Sequence, residues 1–154
     1  MARIHIPDQL RRLVIERALS CCEYCLIHQD HTPEPHHIDH LLAIKHNGKT
    51  EATNLALACA RCNRFKGSDF AAIDPADGQP TILFNPRLQA WKDHFALDGV
   101  LIVGLTPNGR ATVELLRMND QSVLAPRRKL ILKKRYPPPP FHYLLSLCEY
   151  SLST

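Results

Sequence analysis

Two short stretches gather the side chains that could do chemistry. His36-His37-Ile38-Asp39-His40 puts three imidazoles and a carboxylate into five residues, and Cys59-Ala60-Arg61-Cys62-Asn63 adds two thiols and a carboxamide. A second Cys-x2-Cys pair, Cys22/Cys25, lies upstream. Thiolates at this spacing can present two ligands on one knuckle, and two knuckles complete the tetrahedral shell that Zn2+ prefers. Here 33 residues (26–58) separate Cys25 from Cys59, more than the roughly 15–20 of a simple ribbon-type site. The ion would therefore clamp the ends of an excursion that contains the whole histidine-rich segment. Four thiolates leave no open coordination position, so the zinc is expected to be structural and not catalytic. The alternatives are four buried free thiols or a redox pair, the latter disfavoured because no βαβ pattern surrounds it. Cys21 and Cys148 remain as ordinary thiols.

Cleavage of a phosphodiester needs a base to deprotonate water, and a histidine near its ordinary pKa suits that at neutral pH. It also needs a divalent cation to bind the scissile phosphate and the departing oxygen, and hard cations take carboxylate and amide oxygens. Asp39, His40 and Asn63 supply that inventory. Asn63 directly follows the second cysteine pair, so the clamp would fix it relative to the strand carrying Asp39-His40. For His37 a ligand, a phosphate donor and a plain polar residue all remain open, the last slightly ahead. His36 is expected to be exposed, and His46 to lie in a solvated turn.

The elements that would position these groups can be read from caps and periodicity. Pro7 to Ala18 should form a short amphipathic helix packing on the first cysteine knuckle. His36 to Ile44 looks like a strand leading into a bend, Asn47-Gly48 centres a turn, and Asn54 to Cys59 forms a second short element. Arg61 to Phe70 reads as a helix that opens at the second knuckle and ends near Gly67. Further on, Ile73 to Pro86 is turn-rich around a short strand, Arg87 to Gly99 is broken amphipathic material, and Val100 to Leu105 is a buried strand. Thr106-Pro107 reads as an N-cap and first helical residue, so Asn108 to Asn119 is assigned to a helix in preference to a hairpin through Asn108-Gly109. Trp91 and Phe95 are expected in the core rather than as base-stacking platforms.

The 154 residues, 45% hydrophobic and 22% charged, are enough for one ordinary domain with extensions and argue against wholesale disorder. The longest apolar run, Gly99 to Leu105, is too short to span a bilayer, and the opening residues resemble no export signal. A cytoplasmic protein is the expectation. The net charge of +4 leans toward polyanionic partners. Arg127, Arg128, Lys129, Lys133, Lys134 and Arg135 fall within nine residues (127–135), just ahead of Pro137 to Pro140; they form either a solvated tail or a strip that contacts phosphate.

The run "HIDHLLAIKHNGKTEATNLALACARCNRFKG" resembles the core of the HNH endonucleases, the ββα-metal nucleases. Their pattern is an acidic-residue/His pair ending a strand, a Gly-bearing loop, Asn-Leu, then Cys-x2-Cys-His/Asn-x2-Lys. Thirteen residues (41–53) separate His40 from Asn54, and eight (55–62) separate Asn54 from Asn63. Asn63 stands where many members have histidine, the proline common after the base is absent, and Asn47-Gly48 replaces paired glycines. The likeness covers roughly Cys22 to Ser68, with Cys22/Cys25 belonging to the zinc-bearing members. The run from Ala72 to Asn119 also resembles an extension of bacterial HNH proteins.

The resemblance implies an α+β fold: a ββα-metal core clamped by the four-cysteine zinc (Cys22, Cys25, Cys59, Cys62), with helical and β extensions. It implies His40 as general base and Asp39 and Asn63 as ligands of a catalytic Mg2+ or Mn2+. Asn54 would tie the loop and help orient His40, and Arg64 and Lys66 would face phosphate, with Arg127, Arg128 and Lys129 as further nucleic-acid contacts. Residues 1–70 would carry the nuclease core, 71–125 an extension, and 126–154 a basic, proline-rich tail. The expected function is hydrolysis of phosphodiesters in DNA, most naturally double-stranded, with a homodimer or sequential nicks needed to cut both strands. The rivals are a non-cleaving zinc module that binds nucleic acid, and a structural zinc protein whose apolar C-terminal tail recruits a partner.

Overall fold

Asp8 in the first turn and Arg17 in the last complement the dipole of helix α1 (Asp8–Arg17), which follows Pro7. In the computed structural model, which describes residues 4–145, α1 buries Val14 against Leu55 and Leu57 in a small core completed by Ile6 and Ala18. The helix thus packs on the strand that begins at Leu55, and not on the cysteine knuckle as expected. Arg17 reinforces this with a hydrogen bond to the Leu55 carbonyl (2.6 Å).

Strands β1 (His37–His40) and β2 (Leu55–Ala58) pair antiparallel, with Asp39 opposite Ala56 and His40 opposite Leu55. All four residues of β2 are buried, because α1 covers one face and the cysteine-knuckle core the other. Cys59 caps helix α2 (Ala60–Lys66), and Gly67, with φ of 53°, ends it. This hairpin and helix form the expected ββα unit.

Beyond it, β3 (Ala71–Ile73) pairs with β4 (Pro80–Ile82), and β5 (Phe95–Asp98) with β6 (Leu101–Gly104), as two further antiparallel hairpins. A single helical turn, α3 (Trp91–His94), precedes β5. The stretch expected to be broken amphipathic material is therefore a turn of helix and a strand, each too short to show a period. The strand through Leu101 was expected to be buried, yet only Ile102 is; its neighbours alternate to the surface. Helix α4 (Pro107–Leu115) starts as the sequence indicates, with Thr106 Oγ1 accepting the Gly109 amide. Gly109 lies where a side chain would meet the His94 carbonyl at 2.1 Å, so glycine lets α4 dock directly on the turn before β5. Helix α5 (Gln121–Leu132) takes in the start of the basic block, so 126 falls inside a helix and not at the head of a tail.

One large core ties the halves together: Tyr24, Leu26 and Leu41 pack with Phe84, Trp91, Phe95, Leu97, Ile102, Leu116 and Met118. Phe95 stacks near Trp91 and edge-on to Phe84, both with ring centroids 5.0 Å apart, so Trp91 and Phe95 are core residues as expected. Two backbone carbonyls of the first knuckle accept hydrogen bonds from the extension, Tyr24 from Trp91 Nε1 (2.8 Å) and Cys25 from Tyr136 Oη (2.7 Å). Glu23 joins the same seam, accepting the Leu57 amide (2.8 Å) and pairing with Arg87. Among the described residues no helix is long and apolar enough to cross a membrane. Cys148 and most of the apolar tail lie outside the described residues.

Candidate active site and metal centre

The two knuckles bring Cys22, Cys25, Cys59 and Cys62 together with all four sulfurs within 4.8 Å of one another and buried. Cys25 and Cys59 sulfurs are 3.8 Å apart, and a zinc–sulfur bond of about 2.3 Å gives a tetrahedral edge of about 3.8 Å. The cluster therefore fits a tetrahedrally held ion. Each knuckle is built alike: the Cys25 amide points at Cys22 Sγ (3.5 Å) and the Cys62 amide at Cys59 Sγ (3.4 Å). Cys59 also stands at the positive end of α2. Hydrogen bonds from the Cys22, Cys25 and Cys62 thiols hold its pKa far below the usual thiol value. Burial pushes Cys22 up, and hydrogen bonding to the neighbouring sulfurs pushes Cys62 up.

A short distance along the hairpin, β1 ends at His40, so the chain leaves strand geometry immediately after the Asp39-His40 pair. Asp39 is 5% exposed. Its Oδ2 accepts from Tyr24 Oη at 3.0 Å and from Lys66 Nζ at 3.1 Å; Oδ1 lies 3.4 Å from the same ammonium. Burial raises the carboxyl pKa, opposed by Lys66 and Tyr24. Lys66 also donates to the His40 carbonyl (3.0 Å), so one buried ammonium staples the end of α2 to the end of β1. This corrects the expectation that Lys66 faces phosphate: at 2% exposure it is turned inward.

His40 is half-buried, and its Nε2 lies 2.9 Å from Thr50 Oγ1. Burial lowers its pKa below the ordinary imidazole value, partly offset by the Asp39 charge. The shift favours the neutral ring, the form a base requires.

Asn54 ties the intervening loop with three hydrogen bonds of 2.9 Å: Oδ1 accepts the Leu42 amide, and Nδ2 donates to the Leu42 and Lys49 carbonyls. Its own carbonyl accepts the Leu41 amide. Asn54 thus holds the backbone that follows His40 and makes no direct bond to the ring. The loop closes at Asn47, left-handed with φ of 66°, and at Gly48, where a side chain would meet the Leu42 carbonyl at 1.7 Å.

Asn63 lies one turn before Lys66 on α2, partly exposed, and Arg64 beside it is exposed. His37 is exposed, whereas His36 is buried, contrary to expectation, with Nε2 donating to the Ile27 carbonyl (2.9 Å). His46 is exposed in its turn, edge-on to Phe70. Arg128 and Lys129 are exposed on α5. Arg127 is not: its guanidinium donates to the carbonyls of Val100 (2.8 Å) and Met118 (2.6 Å), which makes it a structural brace and corrects its assignment to nucleic-acid contact.

Residues 22–69 match the family model of the HNH endonucleases. This stretch is an HNH domain. No curated protein and no solved structure matches the chain. The HNH domain holds all four metal-binding cysteines and the Asp39, His40, Asn54 and Asn63 positions. Three contributors to its site carry no signal in the sequence. Thr50 and Tyr24 are unremarkable in spacing, and the inward turn of Lys66 depends on which face of α2 packs on β1.

Proposed function

We propose that the HNH domain is a cation-dependent endonuclease that hydrolyses phosphodiester bonds in DNA, with His40 as general base and Asp39 and Asn63 as ligands of Mg2+ or Mn2+. The observation that carries this reading is the placement of His40, tied through Nε2 to Thr50 at the point where β1 ends beside the Asp39 carboxylate. With the Nε2 proton donated to Thr50 Oγ1, Nδ1 keeps its lone pair and takes a proton from the attacking water. That water forms the new phosphorus–oxygen bond as the bond to the 3′-oxygen breaks, and the departing oxygen takes a proton from solvent, leaving 5′-phosphate and 3′-hydroxyl ends.

The donor set of a carboxylate and a carboxamide suits a hard divalent cation, which when bound would neutralise charge on the phosphate and the leaving oxygen. Tyr24 and Lys66 hold Asp39 in one orientation, and Lys66 shares its charge. Asn54 keeps the backbone after His40 from unravelling.

Supercoiled plasmid incubated with the wild type and with His40→Ala, with and without Mg2+, tests the reading. Nicking is expected from the wild type only with added cation. His40→Ala should bind DNA equally while losing at least about a hundredfold in rate, as removal of a general base does. A wild type that binds plasmid but never nicks it would favour the non-cleaving module.

A further inference from the structure

The outward side of α2 carries a second group of side chains that the candidate site does not use. In a helix, residues three and four apart share a face, so Arg61, Arg64 and Phe65 lie together, away from the buried Cys62 and Lys66. Arg117, from the turn after α4, reaches the same place. Its backbone is left-handed, with φ of 49°, a conformation unfavourable to arginine. The guanidinium carbons of Arg61, Arg64 and Arg117 stand 4.9, 5.2 and 4.7 Å from the centre of one ring, that of Phe65.

Three permanent positive charges around one phenyl ring repel one another. The ring offers each a weak attraction, but only Arg61 has a carboxylate partner among the described residues, Asp120 at 2.7 Å. Arg64 and Arg117 are exposed. Helix α5 runs alongside: Val123 and Pro126 share with Arg61 and Arg64 the wall of a cavity of about 260 Å³, and Arg128 and Lys129 on that helix are exposed too. Such excess positive charge, in forked donors, is complementary to the phosphate oxygens of a polyanion.

We propose that Arg64 and Arg117, ordered by Phe65 and Arg61, form a phosphate clamp that holds the DNA backbone on the face of α2 turned away from the candidate site. The extension beyond the HNH domain thereby supplies part of the substrate-binding surface. This inference rests on the nuclease reading; neighbouring helical residues do not share a face, so Arg64 points away from Asn63 and the clamp grips the duplex on the far side of α2 from the candidate site.

The test measures the affinity of the full-length, zinc-loaded protein for a short DNA duplex over a range of salt concentrations, without added Mg2+. Each phosphate contact contributes about 0.9 to the slope of log affinity against log salt. Arg64→Gln and Arg117→Gln should each reduce the slope by about one, and the double variant by about two. Lys92→Gln, which removes an exposed charge on α3, should leave it unchanged. Arg117→Lys keeps the charge and should keep most of the slope, which separates a phosphate contact from a fold defect. If the wild type binds and nicks DNA but the double variant shows the same slope and affinity, the clamp is refuted and the nuclease reading stands. If the wild type binds no nucleic acid, both fall. Displacement of the duplex by polyglutamate at equal charge concentration would assign the cluster to an acidic protein and also overturn the clamp.

Discussion

In the proposed reaction the working nitrogen of His40 would be selected by Thr50, whose hydroxyl oxygen lies 2.9 Å from Nε2. Thr50→Val removes that partner at nearly constant volume and lets the ring turn or change tautomer. A hydrogen bond of this kind contributes about 0.5–1.5 kcal/mol, so kcat for plasmid nicking should fall by up to about tenfold, with KM and melting temperature little changed. The residues legible beforehand are those whose chemistry needs a particular type: four thiols at knuckle spacing, a carboxylate beside an imidazole, an amide after the second knuckle. Thr50 and Tyr24 were not legible, since hydroxyls occur at many positions and only the folded loop shows which ones reach the site. Lys66 was read as a phosphate contact from the family resemblance and Arg127 from the basic block around it, yet both find buried oxygen partners that outweigh exposure.

Among the elements, the loop between β1 and β2 depends on one side chain to a degree its length would not suggest. Asn54→Ala deletes three hydrogen bonds and leaves the Leu42 amide and carbonyl unpaired. The site is open to water, so each lost bond costs about 0.5–1.5 kcal/mol or less. A loss of about 1–3 kcal/mol in urea unfolding is expected, together with a loss of nicking that supplying more DNA does not repair. The helices α1, α2 and α4 were readable from their caps: Pro7 with Asp8, Cys59 with Gly67, Thr106 with Pro107. The strands β5 and β3 were not, because three or four residues cannot display an alternation and their pairing partners decide whether they form. The docking of α1 on β2 also escaped the sequence, since an apolar stripe announces burial without saying against what.

For the whole molecule, the metal centre and the extension form one cooperative unit, because Trp91 and Tyr136 donate to the carbonyls of Tyr24 and Cys25. We expect about one tightly held zinc per chain. Its removal by a strong chelator should loosen both halves together, seen as a red shift in the emission of Trp91, the chain's single tryptophan. A protein that keeps its emission and circular dichroism without metal would contradict this.

A second brace has its own pH signature. Arg110 grips Asp74 with two hydrogen bonds, 2.9 and 2.7 Å, and together with the Ala76 amide holds its pKa below the ordinary 3.8. A depressed carboxyl stabilises the fold above the unfolded-state value and loses that effect as pH falls through the folded-state value. The urea midpoint of Asp74→Asn should therefore lie below the wild type's at pH 7, and the gap should close below about pH 3.8.

Tyr24 serves two structures with two different parts of itself: its carbonyl anchors the tryptophan of the extension, and its phenol steadies the acidic group beside the imidazole. Backbone and side chain are separately inherited, since every amino acid keeps the carbonyl while only tyrosine brings that hydroxyl. Because the ring between them is wholly buried in the core, only Phe keeps the packing, and exchange to it would strip the carboxylate of its phenol partner while leaving the tryptophan anchored.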